Sequence, residues 1–269
     1  MKIKTCSKIN LGLNIVSKRP DGYHNLETVF YPVDLSDDIE ITELPASECQ
    51  LSISGTPIEG EAEKNLVVRA YRLLSEHYQL PGVRIDLCKN VPMQAGMGGG
   101  SADCAFTMRL LNDMFSLGID DDQLRTFAAQ LGADCAFFID PRPSYAEGIG
   151  EKLRPVDLCL DGYRLVIVKP DIAVSTREAF ANIRPQRPPK NCLQVVQQPI
   201  ETWREELKND FEESIFPQYP RIGEIKEELY RQGAVYAAMS GSGSALFGFF
   251  RDTDNVQEKA FHDSFFRVL

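Results

Sequence analysis

The chain has no CxxC pair among its seven cysteines and only three histidines. Cys6, Cys49, Cys88, Cys104, Cys135, Cys159 and Cys192 stand singly, several of them in apolar runs. That pattern excludes a stapled secreted scaffold and fits small buried thiols in a reducing cytoplasm. His24, His77 and His262 lack ligand-like spacing, which argues against a zinc site. No apolar run reaches the length of a membrane span. The opening Met1-Lys2-Ile3-Lys4-Thr5 carries no signal-peptide core, so the expected location is cytoplasmic, away from any membrane. Positive charge is also short: 29 Lys and Arg stand against 39 Asp and Glu, a net charge of −10. Such a surface repels nucleic acid and anionic lipid. An anionic ligand must then be held by local donors. No internal repeat is visible.

What remains is a 269-residue chain with 43% hydrophobic and 25% charged residues, enough for one large or two ordinary soluble domains. Residues 3–16 alternate: Ile9, Leu11, Leu13 and Ile15 point one way, Lys8, Asn10, Gly12 and Asn14 the other, as in a half-buried strand. Arg19-Pro20-Asp21-Gly22 is a turn. Strands are expected over 26–33, 38–42, 83–87, 163–168, 235–239 and 245–250. Helices are expected over 65–78, after residue 101, over 121–131 and over 220–232, with Gly132 and Gly233 as stops. Ser175-Thr176-Arg177-Glu178 reads as a capping box. Prolines and glycines gather in 140–155, which places a domain boundary there, with domains at 1–155 and 156–269. The elements alternate without strict βαβ units, so the fold class is α+β.

The most informative segment is Pro92-Met93-Gln94-Ala95-Gly96-Met97-Gly98-Gly99-Gly100-Ser101-Ala102-Asp103. Four glycines in five positions leave a backbone that adopts positive φ and lets a ligand approach its N–H groups. A helix pattern follows, with Ser101 as the expected N-cap and Asp103 in the first turn. A glycine loop opening a helix is an anion site by construction. The alternative is a linker or tight turn, but linkers lack a matched helix start. Neither Gly-Lys-Ser/Thr nor a third Rossmann glycine is present, so the design is neither of those phosphate loops.

Other groups gain meaning only in company. Lys8 and Asn10 share a strand face about 7 Å apart, although a lone lysine is usually a solvated charge. Asp134 precedes the apolar Cys135-Ala136-Phe137-Phe138 and is either an N-cap or an acid–base group. Ser240-Gly241-Ser242-Gly243-Ser244, between two apolar strands, is a hairpin turn or a ligand-covering loop. Tyr23-His24 after the turn is an idle surface pair or a nucleobase grip.

Together these segments resemble the GHMP kinase superfamily. Ser7-Lys8-Ile9-Asn10-Leu11, residues 92–103 and residues 239–245 match its three motifs in order. Arg19-Pro20-Asp21-Gly22-Tyr23-His24, Gly132-Ala133-Asp134-Cys135-Ala136-Phe137-Phe138 and Asn209-Asp210-Phe211-Glu212 narrow the resemblance to the branch acting on 4-diphosphocytidyl-2-C-methyl-D-erythritol. The likeness runs from about residue 3 to about residue 250. It implies a ribosomal-S5-domain-2-like ATP-binding N-terminal domain and a ferredoxin-like C-terminal domain. It further implies transfer of the ATP γ-phosphoryl group to an acceptor hydroxyl, with Mg²⁺, in non-mevalonate isoprenoid synthesis.

By position, the resemblance makes Asp134 the general base and Lys8 the group that orients the hydroxyl and Asp134. Pro92, Met93, Gln94, Ala95, Gly96, Met97, Gly98, Gly99, Gly100, Ser101 and Ala102 would wrap the ATP phosphates. Asn65, Leu66 and Lys89 would lie near the adenine. Tyr23 and His24 would hold the cytosine, with Phe180 as a second stacking ring. Asn10, Phe30, Thr176, Gly241, Ser242 and Gly243 complete the acceptor side, and Ser101 is the candidate metal ligand. No second carboxylate for the metal stands in the matched motifs. Departures are Cys6-Ser7 where Pro-Ala is common, Gln94 where a small residue is usual, and Ser244 where Pro or Ala is common. Competing readings are another kinase of the superfamily, acting on homoserine, mevalonate or a sugar, and a non-catalytic nucleotide-binding module. Monomer and homodimer are equally compatible with the sequence.

Overall fold

A computed structural model describes residues 1–45, 48–181 and 183–269. Its strands are β1 (Lys2–Lys4), β2 (Ser7–Lys18), β3 (His24–Val33), β4 (Asp38–Leu44), β5 (Cys49–Gly55), β6 (Gly82–Lys89), β7 (Ser144–Gly148), β8 (Lys152–Pro155), β9 (Tyr163–Pro170), β10 (Tyr236–Met239), β11 (Leu246–Arg251) and β12 (Ser264–Val268). Five helices concern the argument: α1 (Leu66–Ser75), α2 (Gly99–Met114), α3 (Asp121–Leu131), α4 (Thr176–Ala181) and α5 (Pro220–Arg231).

The chain forms two compact units that interleave in sequence. One comprises Met1–Ser7, Val33–Met93 and Gly98–Pro141; the other comprises Lys8–Pro32, Gln94–Met97 and Arg142–Leu269. The linear division expected at residue 155 differs from this grouping. The reason is strand pairing: β2 and β3 join the sheet of β7 and β8, which draws residues 8–32 into the later unit.

In the first unit, the sheet runs β1-β4-β6-β5, with only β5 parallel to its neighbour. Val83, Ile85 and Leu87 of β6 are buried while Arg84 is exposed, the period of two that a one-faced sheet requires. Helix α2 packs against α1, α3 and β4, burying Ala102, Cys104, Ala105, Met108 and Leu111. Asn65 caps α1 by accepting the Val67 N–H at 3.1 Å. Helix α2 begins two residues before the expected Ser101 cap. Gly98, at φ 71°, makes the turn in the left-handed region, and no side chain caps the helix.

The second unit holds two sheets, β2-β3-β7-β8 and β10-β11-β9-β12. The strand expected over 3–16 breaks at Thr5 and Cys6, and its two parts enter different sheets. Nor is β2 half-buried: every residue from Ser7 to Ile15 is buried, the polar face included. Leu13 and Ile15 join a core with Val166, Val168, Ile222, Ile225 and Leu229. The opposite face is covered at Gly12, where a Cβ would stand 2.6 Å from Leu207 Cδ1 and 2.7 Å from Cys192 Sγ. Buried polar groups there must be paired. Asn14 Nδ2 donates to Glu27 Oε1 at 2.8 Å, and Tyr145 OH donates to Glu27 Oε2 at 2.9 Å. The capping box of α4 forms as expected: Glu178 N–H donates to Ser175 Oγ, and Ser175 N–H donates to Glu178 Oε2.

Gly12 combines φ +66° with that lack of room. Gly12→Ala is expected to lower stability by about 2 kcal/mol or more, by overpacking at a strained backbone position. Urea denaturation of the two proteins checks this.

Candidate active site

Two groups of expected residues are assembled, one in each unit. In the second unit, β2 carries Lys8 and Asn10, both nearly inaccessible to solvent. Lys8 Nζ donates to Asn10 Oδ1 at 2.6 Å and to the Gly96 carbonyl at 2.9 Å. It also lies 5.0 Å from the centroid of the Phe30 ring, a cation–π distance. Asn10 Nδ2 donates to Thr28 Oγ1 at 3.0 Å, and that hydroxyl donates to the Gly12 carbonyl. These contacts seat the ammonium against an amide oxygen, a main-chain carbonyl and a ring face.

The Gly96 carbonyl accepts a second bond, from Ser240 Oγ at 3.0 Å. Backbone bonds from Ser244 N–H to Gln94 O and from Ala245 N–H to Ala95 O lay the 240–245 turn along the glycine segment. A Cβ on Gly96 would come 1.9 Å from the Ser240 carbonyl oxygen, so only glycine fits. Gly241 and Gly243 adopt φ +54° and +92°. Asn209, matched only as part of a motif, fixes this turn: its Nδ2 donates to the Met239 and Gly241 carbonyls at 2.7 and 2.8 Å. Thr176 Oγ1 and Ser242 Oγ are 3.4 Å apart. The glycine-rich sequence of the turn was visible; the asparagine that holds it has no local signal, since its partners lie thirty residues away.

The aromatic group differs from expectation. His24 and Phe180 stack on each other, centroids 4.9 Å apart and planes 16° from parallel, so no base fits between them. Phe180 also meets Phe211 edge-on at 4.8 Å. Tyr23 is 62% exposed. Partial burial, with Lys18 nearby, holds the His24 imidazole below its usual range, leaving it neutral at pH 7.

In the first unit, α2 opens with Gly99-Gly100-Ser101 and has no acid in its first turn. Its first N–H groups have no intrahelical partner, and none of these side chains neutralises them. Ser101 Oγ lies 3.9 Å from where a Cβ on Gly132 would stand, with Cys135 Sγ 3.0 Å from the same point. Ser101 thus faces the turn that carries Asp134. The Cys135 thiol is held below its usual range by hydrogen bonds from Cys104 and, more weakly, Ser101, against burial that raises it. Asp134 occupies the N-cap position of the 3₁₀ turn Cys135–Ile139, but its side chain makes no capping bond. The capping alternative is therefore set aside. Leu66 approaches Gly100, 3.9 Å from its would-be Cβ.

Asn65 and Lys89 have other engagements. The Asn65 side chain caps α1. Lys89 is buried, and its ammonium donates to Asp37 Oδ2 and, at 2.8 Å, to Asp103 Oδ2. Asp103 therefore pairs with a lysine and is not a solvated charge at the helix start. Asp37 went unnoticed because the groups its carboxylate binds, on Lys89, Asn90 and Val91, are more than fifty residues away. Among the described residues no cluster of three or more His, Cys, Asp or Glu forms a metal cage. A single hydroxyl such as Ser101 nonetheless suits Mg²⁺, which keeps waters and phosphate oxygens as most of its ligands. No helix among the described residues is long and apolar enough to cross a membrane.

Comparison with known proteins gives a consistent picture. Residues 65–140 match the GHMP kinases N terminal domain, and residues 193–262 match the GHMP kinases C terminal domain. A 4-diphosphocytidyl-2-C-methyl-D-erythritol kinase of Bacteroides fragilis is 55% identical over 261 residues, covering 96% of this chain and 95% of that protein. A crystal structure of 4-(cytidine 5'-diphospho)-2C-methyl-D-erythritol kinase superposes with a TM-score of 0.81 at 29% identity, covering 100% of this chain and 98% of that one. A homoserine kinase from Cytophaga hutchinsonii, at TM-score 0.75 and 15% identity over 100% of this chain and 93% of its own, shares the fold.

Asp210, beside Asn209, gives a pH signature. Burial, reinforced by Glu213 and Glu27, pushes its carboxyl up to about 6, outweighing the Ile15 N–H bond that favours ionisation. The folded state binds this proton more tightly than the unfolded one, so the stabilisation is complete below about pH 4 and is lost as pH rises through 6. Asp210→Asn is expected to remove that loss, matching the parent at pH 4 and gaining stability relative to it at pH 7. Thermal unfolding across this window checks the difference.

Proposed function

The chain belongs to the GHMP kinases, within the family of 4-diphosphocytidyl-2-C-methyl-D-erythritol kinases, and from that premise we propose that it transfers the γ-phosphoryl group of ATP to the 2-hydroxyl of 4-diphosphocytidyl-2-C-methyl-D-erythritol, a step in non-mevalonate isoprenoid precursor synthesis. The observation that carries this reading is the bond from the buried Lys8 ammonium to the Gly96 carbonyl, which places a cation on the glycine segment. Kinases of this family use ATP. Seven free cysteines support a cytoplasmic setting.

Phosphoryl transfer asks for positioning and charge neutralisation more than for covalent chemistry. In this reading the N–H groups at the start of α2 and along the glycine segment bind the phosphates. Asp134, relieved of capping, accepts the proton of the acceptor hydroxyl. Lys8 orients that hydroxyl and stabilises charge as it develops, fixed in place by Asn10 and Phe30. Ser101 is the side chain assigned to Mg²⁺, which when bound offsets the negative charge of the phosphates. Tyr23 supplies the open ring for the cytosine, and Thr176, Ser242 and the neighbouring glycines bind the rest of the acceptor.

Release of ADP from ATP with the cytidine-linked acceptor, with and without Mg²⁺, tests the reading. Mg²⁺-dependent turnover is expected, and a preference for homoserine or mevalonate would overturn it. Asp134→Asn and Lys8→Ala are each expected to lower kcat by about a hundredfold or more with an unchanged circular dichroism spectrum, the scale for removing an acid–base group.

A further inference from the structure

The three buried charges Lys89, Asp37 and Asp103 are not needed for chemistry, and clusters of this kind seldom add net stability over apolar packing. Their placement supplies another reason. Lys89 ends β6, directly before the glycine-rich segment, and Asp103 lies in the opening turns of α2, directly after it. Asp37 reaches both the lysine and the chain leading into the segment. Its Oδ1 accepts the Asn90 and Val91 N–H groups at 2.6 and 2.8 Å, while its Oδ2 accepts from Lys89. Asp37 is itself fixed by Thr5, through Asp37 N–H to Thr5 Oγ1 and Thr5 N–H to Asp37 O, each 2.9 Å.

The two stems also touch. The point a Cβ on Gly99 would occupy lies 3.1 Å from Val91 Cγ1 and 3.4 Å from Lys89 Nζ. The side chains of Lys89, Asp37 and Asp103 are each at most 3% exposed. Between the stems the backbone takes positive φ at Gln94, Gly96 and Gly98, a path with little stiffness of its own.

We propose that Lys89, Asp37 and Asp103 form a positioning cluster for ATP, clamping residues 90–91 to residues 99–103 so that the glycine segment presents its N–H groups at the spacing the phosphates require. The inference rests on the ATP-binding reading above. Burial, the largest influence on Asp103, pushes its carboxyl up to about 7 against the pull of Lys89. Asp103 Oδ1 has no partner among the described residues, so the Lys89 bond is the anchor of that carboxylate.

The test measures binding of a non-hydrolysable ATP analogue with Mg²⁺ by calorimetry, together with KM for ATP and for the acceptor. Lys89→Met is expected to raise the analogue Kd and the ATP KM by about tenfold or more, a loss of about 1.4 kcal/mol, with the acceptor KM within about twofold. Asp103→Asn and Asp37→Asn, close in shape, are expected to give smaller increases in the same direction. They carry the test if Lys89→Met does not fold. Folded variants that melt earlier yet bind the analogue like the parent would reduce the cluster to a structural role and overturn the proposal, as would equal losses for both substrates. If the parent binds the analogue but ignores the cytidine-linked acceptor, the acceptor assignment fails and the cluster stands. If the parent does not bind the analogue, both fail.

Discussion

Burying Lys8 is the constraint around which the second unit is arranged. An ammonium removed from water is costly unless each of its donors meets an acceptor. Its acceptors include an amide oxygen and a main-chain carbonyl, and a ring face lies beside it. The relay from Lys8 through Asn10 and Thr28 to the Gly12 carbonyl ties the charge to the strand that carries it.

Close backbone approach is the second requirement, and it explains the glycines individually. Gly96 has no room for a side chain because the Ser240 carbonyl occupies that space, while Gly98 is needed for its left-handed turn into α2. The first is a packing constraint between distant segments, the second a local one.

Much of this was legible in the residues themselves, wherever the signal was local. Strand alternation located β6, the glycine run located the start of α2, and the Ser175–Glu178 box located α4. Motif order gave the family. The misses share a cause. The Ser101 cap was inferred from residue type, but a left-handed glycine took over the turn. Strand β2 read as half-buried because its alternation is regular, whereas Leu207 and Cys192 arrive from far along the chain to cover its polar face. The Lys89 cluster joins residues 37, 89 and 103, and no spacing rule connects them. His24 and Phe180 were each flagged, but only three-dimensional placement shows them stacked on each other.

The two hydrogen bonds that Asn209 donates to the Met239 and Gly241 carbonyls have a thermodynamic corollary. A five-residue turn of serines and glycines would ordinarily sample many shapes in solution. With both amide hydrogens of one buried side chain engaged on its main chain, that freedom is surrendered during folding. The shape of the turn is thereby set by the fold itself and not by its own serines and glycines.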